Sequence, residues 1–188
     1  MDVVTYLIAL LDPAGTSAGA AVTSIDGVTS FSGTNSWANS SNAVLGTSLN
    51  TPTIIDIRSA AANRGRRYDL SSGDLITVYE TSNSVEYPTI SWDVRNENFT
   101  LTIDMRTIQD ERGVSDENFA RDRLANLYKV VRHRLEQNRK GATIVLSGET
   151  EKIDQLHLGS RTESNDKRKR IFGYKLTVDL KKISVAIP

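Results

Sequence analysis

Apolar and polar side chains alternate most regularly in two segments of the second half of the chain. The first segment contains Phe99, Leu101, Ile103 and Met105, with polar residues between them. In the second, apolar residues recur at every other position over residues 172–180. Because successive side chains of a strand point to opposite sides of the sheet, each segment predicts a strand with one buried face.

Four shorter segments have weaker strand patterns. Residues 53–58, 74–80 and 142–146 are rich in β-branched and aliphatic side chains, and residues 152–154 form a shorter run of the same kind. Tyr87-Pro88 interrupts the chain after the second of these segments. Residues 159–169 are hydrophilic and are predicted to form a loop.

One long amphipathic helix is predicted between the two regular strands. Ser115 is a suitable N-cap, and Gly141 is a suitable stop after Arg139-Lys140. Between them one stripe of the helix is apolar, which indicates that this face packs on a sheet. The stripe consists of Ala120, Leu124, Leu127, Val131 and Leu135.

The first 50 residues have a different character. Residues 2–11 predict a short helix that ends at Asp12-Pro13, because the residue before proline avoids the helical conformation. Residues 14–50 are dominated by Ser, Thr, Gly, Ala and Asn. This segment is either a disordered linker or an extended arm held by a neighbouring chain. The aromatic residues Phe31 and Trp37 favour the arm and are candidate partner contacts.

These elements predict an α+β fold. We expect a mainly antiparallel sheet with one long helix packed across it, a short N-terminal helix and a long N-terminal arm. The expected organisation is a helix plus arm or insertion over residues 1–50 and a single α+β assembly domain over residues 51–188.

Composition and charge narrow the functional classes. The 188 residues include no cysteine, which excludes disulfides, cysteine-ligated zinc and a thiol nucleophile. The formal net charge is zero, which argues against a dedicated nucleic-acid binder. The N-terminus has no basic region typical of an export signal, and no apolar run approaches the ~20 residues of a membrane span. We therefore expect synthesis in the cytoplasm and no membrane contact.

No pattern of residues predicts catalysis. His133 and His157 lie in different elements without a paired acid or metal-ligand spacing, and are expected at surface positions. The acidic residues are scattered, and Asp104, on the polar side of its strand, is expected on a solvated face. Serine-nucleophile and phosphate-loop motifs do not occur in the sequence. We expect no catalytic residue, metal or cofactor.

Two basic clusters are candidate contact sites for an acidic partner. Each is either a solvated loop or an electrostatic contact with a protein surface or with nucleic acid passing nearby. The acidic N-terminal third, from the same or an adjacent subunit, is one candidate partner. The clusters consist of Arg64, Arg66 and Arg67, and of Lys167, Arg168, Lys169 and Arg170.

From Asp74 onward, the order of elements resembles the tail-terminator (tail-completion) proteins of long-tailed bacteriophages and related archaeal viruses. The resemblance lies in residues 73–80 (GDLITVYE), 99–106 (FTLTIDMR), the helix of residues 116–140 with its end RHRLEQNR, and residues 168–180 (RKRIFGYKLTVDL). It covers about the last three-fifths of the chain and is a resemblance of pattern.

The resemblance implies a virion structural protein. Members of this family form a ring, usually a hexamer, that caps the tail tube, ends its polymerisation and joins it to the head connector. The implied partners are further copies of the chain, the tail tube protein and the connector protein, with the genome passing nearby without specific binding. The implied location is the tail or neck of the virion. The family has no catalytic residues to carry over.

The N-terminal part departs from the family pattern, because the helix is short and residues 14–50 are inserted before the first strand. Two alternatives stay open: another neck, head-completion or tail-tube-family virion protein, and a small nucleic-acid-binding module that uses Lys167–Arg170.

Overall fold

A computed structural model describes residues 1–14, 22–29, 37–47, 49, 52–56, 74–88, 94–108, 117–165 and 171–185. These residues form three helices, α1 (Val3–Leu11), α2 (Trp37–Leu45) and α3 (Glu117–Gln137). The strands are β1 (Ser24–Ile25), β2 (Thr53–Asp56), β3 (Leu75–Glu86), β4 (Val94–Ile108), β5 (Ala142–Leu146), β6 (Glu149–Ile153), β7 (Gln155–Glu163) and β8 (Ile171–Val185).

The strands form two sheets. The larger sheet has the order β2-β3-β4-β8-β7, and the smaller one has the order β1-β5-β6. Every pairing is antiparallel except that between β2 and β3. The fold is therefore α+β with a mainly antiparallel sheet, as predicted.

One face of the larger sheet is apolar and lies under the helices. Leu101, Ile103 and Met105 of β4 are fully buried on this face. Ile103 pairs with Val78 of β3 and Leu176 of β8, so the apolar positions of the three strands lie in register. We call this side of the sheet the helix face, because α3 packs across it.

Helix α1 is buried almost on all sides, although the sequence predicted only one apolar stripe. Asp2 is its N-cap, with Oδ1 accepting a hydrogen bond from the Thr5 N–H at 2.9 Å. The helix lies against β2, β3 and α3. Packing on two sides explains why Tyr6, Leu7 and Leu11 each have no exposed surface.

Part of the segment that was predicted as a linker or arm packs into the chain's own core. Helix α2 was not predicted, and its first residue, Trp37, is only 3% exposed. Val22 is also buried in the same core. The Ser41 hydroxyl accepts a hydrogen bond from the Leu49 N–H at 2.8 Å, which ties α2 to the chain that follows it. The two apolar side chains thus anchor an otherwise polar segment.

Strand β7 replaces the first part of the loop predicted over residues 159–169. It pairs with β8 from Gln155 to Glu163, with a shift in register between Leu158 and Arg161. The pattern was misleading because β7 is an edge strand, and most of its side chains are exposed. A second shift in register interrupts the pairing of β3 with β4 between Glu80 and Ser82.

The central strands extend beyond the helices. Strands β4 and β8 have 15 residues each, a length of about 50 Å, whereas the 21 residues of α3 span about 31 Å. We call the distal part, residues 81–86, 94–100 and 181–185, the sheet extension. Four of the most exposed large apolar side chains lie on it or directly beside it: Val85, Tyr87, Ile183 and Val185.

Candidate functional site: the two edges of the larger sheet

An exposed arginine on the edge strand β7 lies against two aromatic rings. The Arg161 guanidinium carbon is 4.9 Å from the ring centre of Tyr128 and 4.6 Å from that of Tyr174. The two rings meet edge to face, with centres 5.8 Å apart. A guanidinium over an aromatic ring is attracted by the negative face of the ring. These contacts hold Arg161 in place at the side of the sheet, and we call the three residues the Arg161 cluster.

A second arginine contact of the same kind lies on the same face. Arg121 of α3 lies over the ring of Phe172, with 5.4 Å between the guanidinium carbon and the ring centre. Phe172 and Tyr174 are on the same side of β8, because residues two apart in a strand share a face. Two arginines of the helix face are therefore positioned by aromatic rings from one strand.

Arg161 has the properties of an anion-binding residue. In the part of the chain that the structure describes, no carboxylate forms an ion pair with it, and its side chain is exposed. A guanidinium has five N–H donors in a planar arrangement that matches carboxylate or phosphate oxygens. The rings fix the plane of the group and leave its donor edges for a partner.

The opposite edge of the sheet is acidic. The described residues of β2, β3 and their flanks, 52–56 and 74–88, include four acidic residues and no lysine, arginine or histidine. Asp74 is paired with Arg123 at 2.6 Å, whereas Glu80 and Glu86 are exposed. β2 pairs with β3 only from Leu75 to Val78. Beyond that point, from Tyr79 to Glu86, no described strand lies outside β3, and we call this stretch the β3 edge.

The second face of the sheet holds an ion pair whose carboxylate is buried. Asp104 was expected on a solvated face, but only 3% of its side chain is exposed. Arg106 donates to both of its carboxylate oxygens, at 3.2 Å and 2.7 Å. The hydrogen bond to Asp104 raises the pKa of Arg106, so this guanidinium is charged at neutral pH. Two residues on the same side of one strand thus satisfy each other, and this pair has a structural role.

Most of the residues predicted as partner contacts lie outside the described residues. These are Arg64, Arg66, Arg67, Lys167, Arg168, Lys169, Arg170 and Phe31. Trp37 is described, and at 3% exposure its indole packs within the chain itself rather than presenting a surface to a partner.

The attachment points of the second basic cluster are described. Residues 166–170 connect Asn165 to Ile171, at the end of the β7–β8 hairpin. At this end Glu163 pairs with Tyr174, and the Ser164 N–H donates to Gly173 O at 2.9 Å. Tyr174 belongs to the Arg161 cluster, so the described residues on either side of segment 166–170 belong to the same hairpin as that cluster.

The two histidines do not form a site with other residues. His157 is exposed on β7, and His133 is partly buried on α3. Among the described residues, no group of three histidine or acidic side chains is placed to hold a metal ion. None of the described helices is long and apolar enough to cross a membrane.

The sequence did not indicate the importance of Arg161. It stands in a hydrophilic segment that was predicted to be a loop, and the two tyrosines that contact it are 33 and 13 residues away in the chain. Leu156 and Leu158 were the available signal, because two apolar residues spaced by two are consistent with a strand. The contact between Arg161 and the rings follows only from tertiary structure.

Comparison with models of known protein families found no match to this chain, and comparison with curated proteins found none either.

Proposed function

We propose that this chain is a virion structural protein of the tail-terminator type. In this proposal copies of the chain form a ring, of six by analogy with the family, at the junction of tail and head. The ring caps the tail tube, ends its polymerisation and joins it to the connector protein, and the genome passes nearby without specific binding. The protein is made in the host cytoplasm and acts in the virion.

The main support is a sheet whose exposed parts suit contacts with other protein chains. The sheet extension presents Val85, Ile183 and Val185 at 46%, 41% and 64% exposure. Ile183 and Val185 share one face of the extension, and Val85, level with Lys182, lies on the other. Neighbouring exposed apolar side chains such as Ile183 and Val185 are typical of protein interfaces. The edges on either side carry fixed or exposed charges, Arg161 on one and Glu80 on the other. The order of the elements from Asp74 onward, which resembles that of the tail-terminator family, is a second support for the proposal.

A closed ring offers a physical solution to the exposed edges. A strand edge presents unpaired N–H and C=O groups and therefore promotes association. A head-to-tail contact repeated around a rotation axis joins one edge of each copy to the other edge of the next. One kind of interface then covers both edges of every copy.

The proposal is tested with the purified chain. Mass-resolved light scattering at micromolar concentration should give one closed oligomer, and negative-stain electron microscopy should show rings with a central opening. Added to polymerising tail tube protein, the rings should shorten the tubes, whereas an equal amount of an unrelated protein should not. A monomer at micromolar concentration contradicts the proposal.

A further inference from the structure

We infer that neighbouring copies in this ring are joined by antiparallel pairing of β7 of one copy with the β3 edge of the next. In this contact Arg161 of the first copy lies close to Glu80 of the second. The inference rests on the proposed ring and specifies its interface. The occupant of each edge is therefore a second copy of this chain.

Strand direction is the first argument. β3 is antiparallel to β4, β4 to β8, and β8 to β7, so β7 runs opposite to β3 in the same sheet. When a second copy continues the sheet with its helices on the same side, its β3 also runs opposite to β7 of the first copy. Antiparallel pairs outnumber parallel pairs about two- to three-fold in proteins, so the directions suit each other.

The lengths of the two stretches that no described strand covers also agree. At the start of β7 the Leu156 N–H donates to Arg139 O at 3.1 Å, so this end is covered by the turn after α3. From Leu158 to Glu163 no described strand lies outside β7. Six residues of strand are about 20 Å long, which fits within the eight residues of the β3 edge. Joining the two stretches would make a ladder of ordinary length.

Arg161 and Glu80 lie on the same face of the sheet. Arg161 pairs with Leu176 of β8, and Glu80 pairs with Leu101 of β4. Leu101 and Leu176 both belong to the buried core on the helix face. When two copies form a continuous sheet, the arginine and the glutamate therefore point to the same side, where cross-strand neighbours interact.

The charges favour a contact between β7 of one copy and the β3 edge of the next over a contact between two identical edges. From Arg161 to Ile171 the chain has five basic and two acidic residues, Arg161 included, whereas the ionisable side chains of the described residues 74–88 that carry charge at neutral pH are all acidic. Pairing of two β3 edges around a two-fold axis would place Glu80 and Glu86 of both copies along one contact, in which the described residues of the β3 edge supply no basic side chain. Like charges brought close together across an interface are destabilising. The head-to-tail contact avoids this repulsion and pairs opposite charges.

The first experiment uses the absence of cysteine from the chain. Cysteine is introduced on the β3 edge by Ser82→Cys or Ser84→Cys, and on β7 by Ser160→Cys or Thr162→Cys; all four positions are exposed. A mixture of one variant of each kind should give a cross-linked dimer under mild oxidation in at least one of the four combinations. Chains with both substitutions should give a ladder that stops at the copy number of the ring.

Single variants are the matched controls. Each variant oxidised alone should stay uncross-linked, because a head-to-tail contact does not bring a residue of one subunit close to the same residue of the next. Efficient dimers of Ser82→Cys alone would indicate pairing of two β3 edges and would overturn the inference.

The second experiment reverses charges. Arg161→Glu and Glu80→Arg should each raise the dissociation constant of the oligomer at least tenfold, and the chain with both changes should recover most of that loss. Lys152→Glu on β6, where the side chain is 67% exposed, is the control and should leave assembly unchanged. Thermal unfolding of each variant establishes that the monomer is still folded, and Glu80→Arg tests the contact without disturbing the Arg161 cluster.

The outcomes separate the inference from the proposed function. If the wild type forms rings and both charge variants form the same rings, the inferred interface is wrong and the proposed ring stands. A monomeric wild type would overturn the ring itself. A third outcome is that Arg161→Glu forms intact rings but no longer retains double-stranded DNA in a filter assay, whereas the wild type does. This result would also overturn the inference and would assign Arg161 to a phosphate contact.

Discussion

Two buried polar side chains connect α1 to the rest of the chain. Arg134 of α3 donates to the carbonyl oxygen of Leu10 at 2.9 Å and to the Ser40 hydroxyl at 2.8 Å, so it joins all three helices. Burial lowers the pKa of Arg134 to about 10, which leaves it charged at neutral pH. Tyr6 joins α1 to β5, since its hydroxyl donates to Ala142 O at 3.0 Å and accepts from Ala142 N at 3.1 Å.

Replacing Tyr6 by phenylalanine should separate the contribution of its hydrogen bonds to stability from that of its packed aromatic ring. Tyr6→Phe keeps the aromatic ring but leaves the buried N–H and C=O of Ala142 without this partner. The free energy of unfolding should fall by about 1–3 kcal/mol, as measured by urea unfolding at pH 7. A loss within error would indicate that Ala142 finds other partners. Tyr79→Phe, on a partly exposed side chain of β3, is the control and should have little effect.

The same residue predicts a dependence on alkaline pH. Burial raises the pKa of Tyr6 above its ordinary value of 10.0. The contribution of the neutral hydroxyl to the free energy of unfolding is therefore fully present below pH 10. It decreases at higher pH, because there the tyrosine ionises in the unfolded chain but not in the folded one. The difference in unfolding free energy between wild type and Tyr6→Phe should shrink above about pH 10, by at most ~1.4 kcal/mol per pH unit. A difference that stays constant would contradict this assignment.

At the scale of elements, the sequence predicted what is regular and internal. The alternation at Leu101, Ile103 and Met105 identified β4, because one of its faces is buried along the length covered by helices. The apolar stripe of α3 was visible for the same reason. β7 and α2 escaped prediction because pairing and packing from distant residues stabilise them: Leu180 pairs with Leu156 of β7, and the core encloses Trp37 of α2.

The edges of the sheet could not be predicted from the sequence. Arg161 and Glu80 are 81 residues apart and belong to segments with no motif of their own. Their relation depends on the strand order β2-β3-β4-β8-β7, which places the two segments towards opposite edges of one sheet. Local patterns carry no information on that order.

The turn between α3 and β5 should be intolerant of a side chain. Gly141 has a φ of +76°, and a Cβ atom there would overlap the carbonyl oxygen of Ile153. Gly148, in the β5–β6 turn, has a φ of +83° but no atom within 4 Å of that position. Gly148→Ala should cost only the ~1–2 kcal/mol of the left-handed conformation. Gly141→Ala should cost this amount and a further ~1–3 kcal/mol or more from overlap.

Thermal unfolding of the two alanine variants measures this difference. The comparison is matched, because both glycines lie in turns beside β5 and both have a positive φ. Equal losses of stability would show that conformation alone, and not the closeness of Ile153, requires glycine at residue 141.

At the scale of the whole molecule, assembly through Arg161 and Glu80 should depend on salt. The Debye length falls from about 8 Å at 0.15 M ionic strength to about 3 Å at 1 M. The dissociation constant of the oligomer should therefore rise several-fold in 1 M NaCl, as measured by light scattering over a dilution series. An oligomer held only by Val85, Ile183 and Val185 would be unaffected or strengthened. That result would place the main contact on the sheet extension.

The register shifts of β3 and β7 have a consequence for selectivity. β3 changes register between Glu80 and Ser82, and β7 between Leu158 and Arg161. Each kink increases local twist, so a flat strand from an unrelated chain fits neither side well. A crowded cell contains many such strands, and indiscriminate fibre growth is the hazard for any protein with long exposed ladders. The bulged β3 and β7 restrict partners to strands with a matching bend. Every copy of this chain has both of these strands.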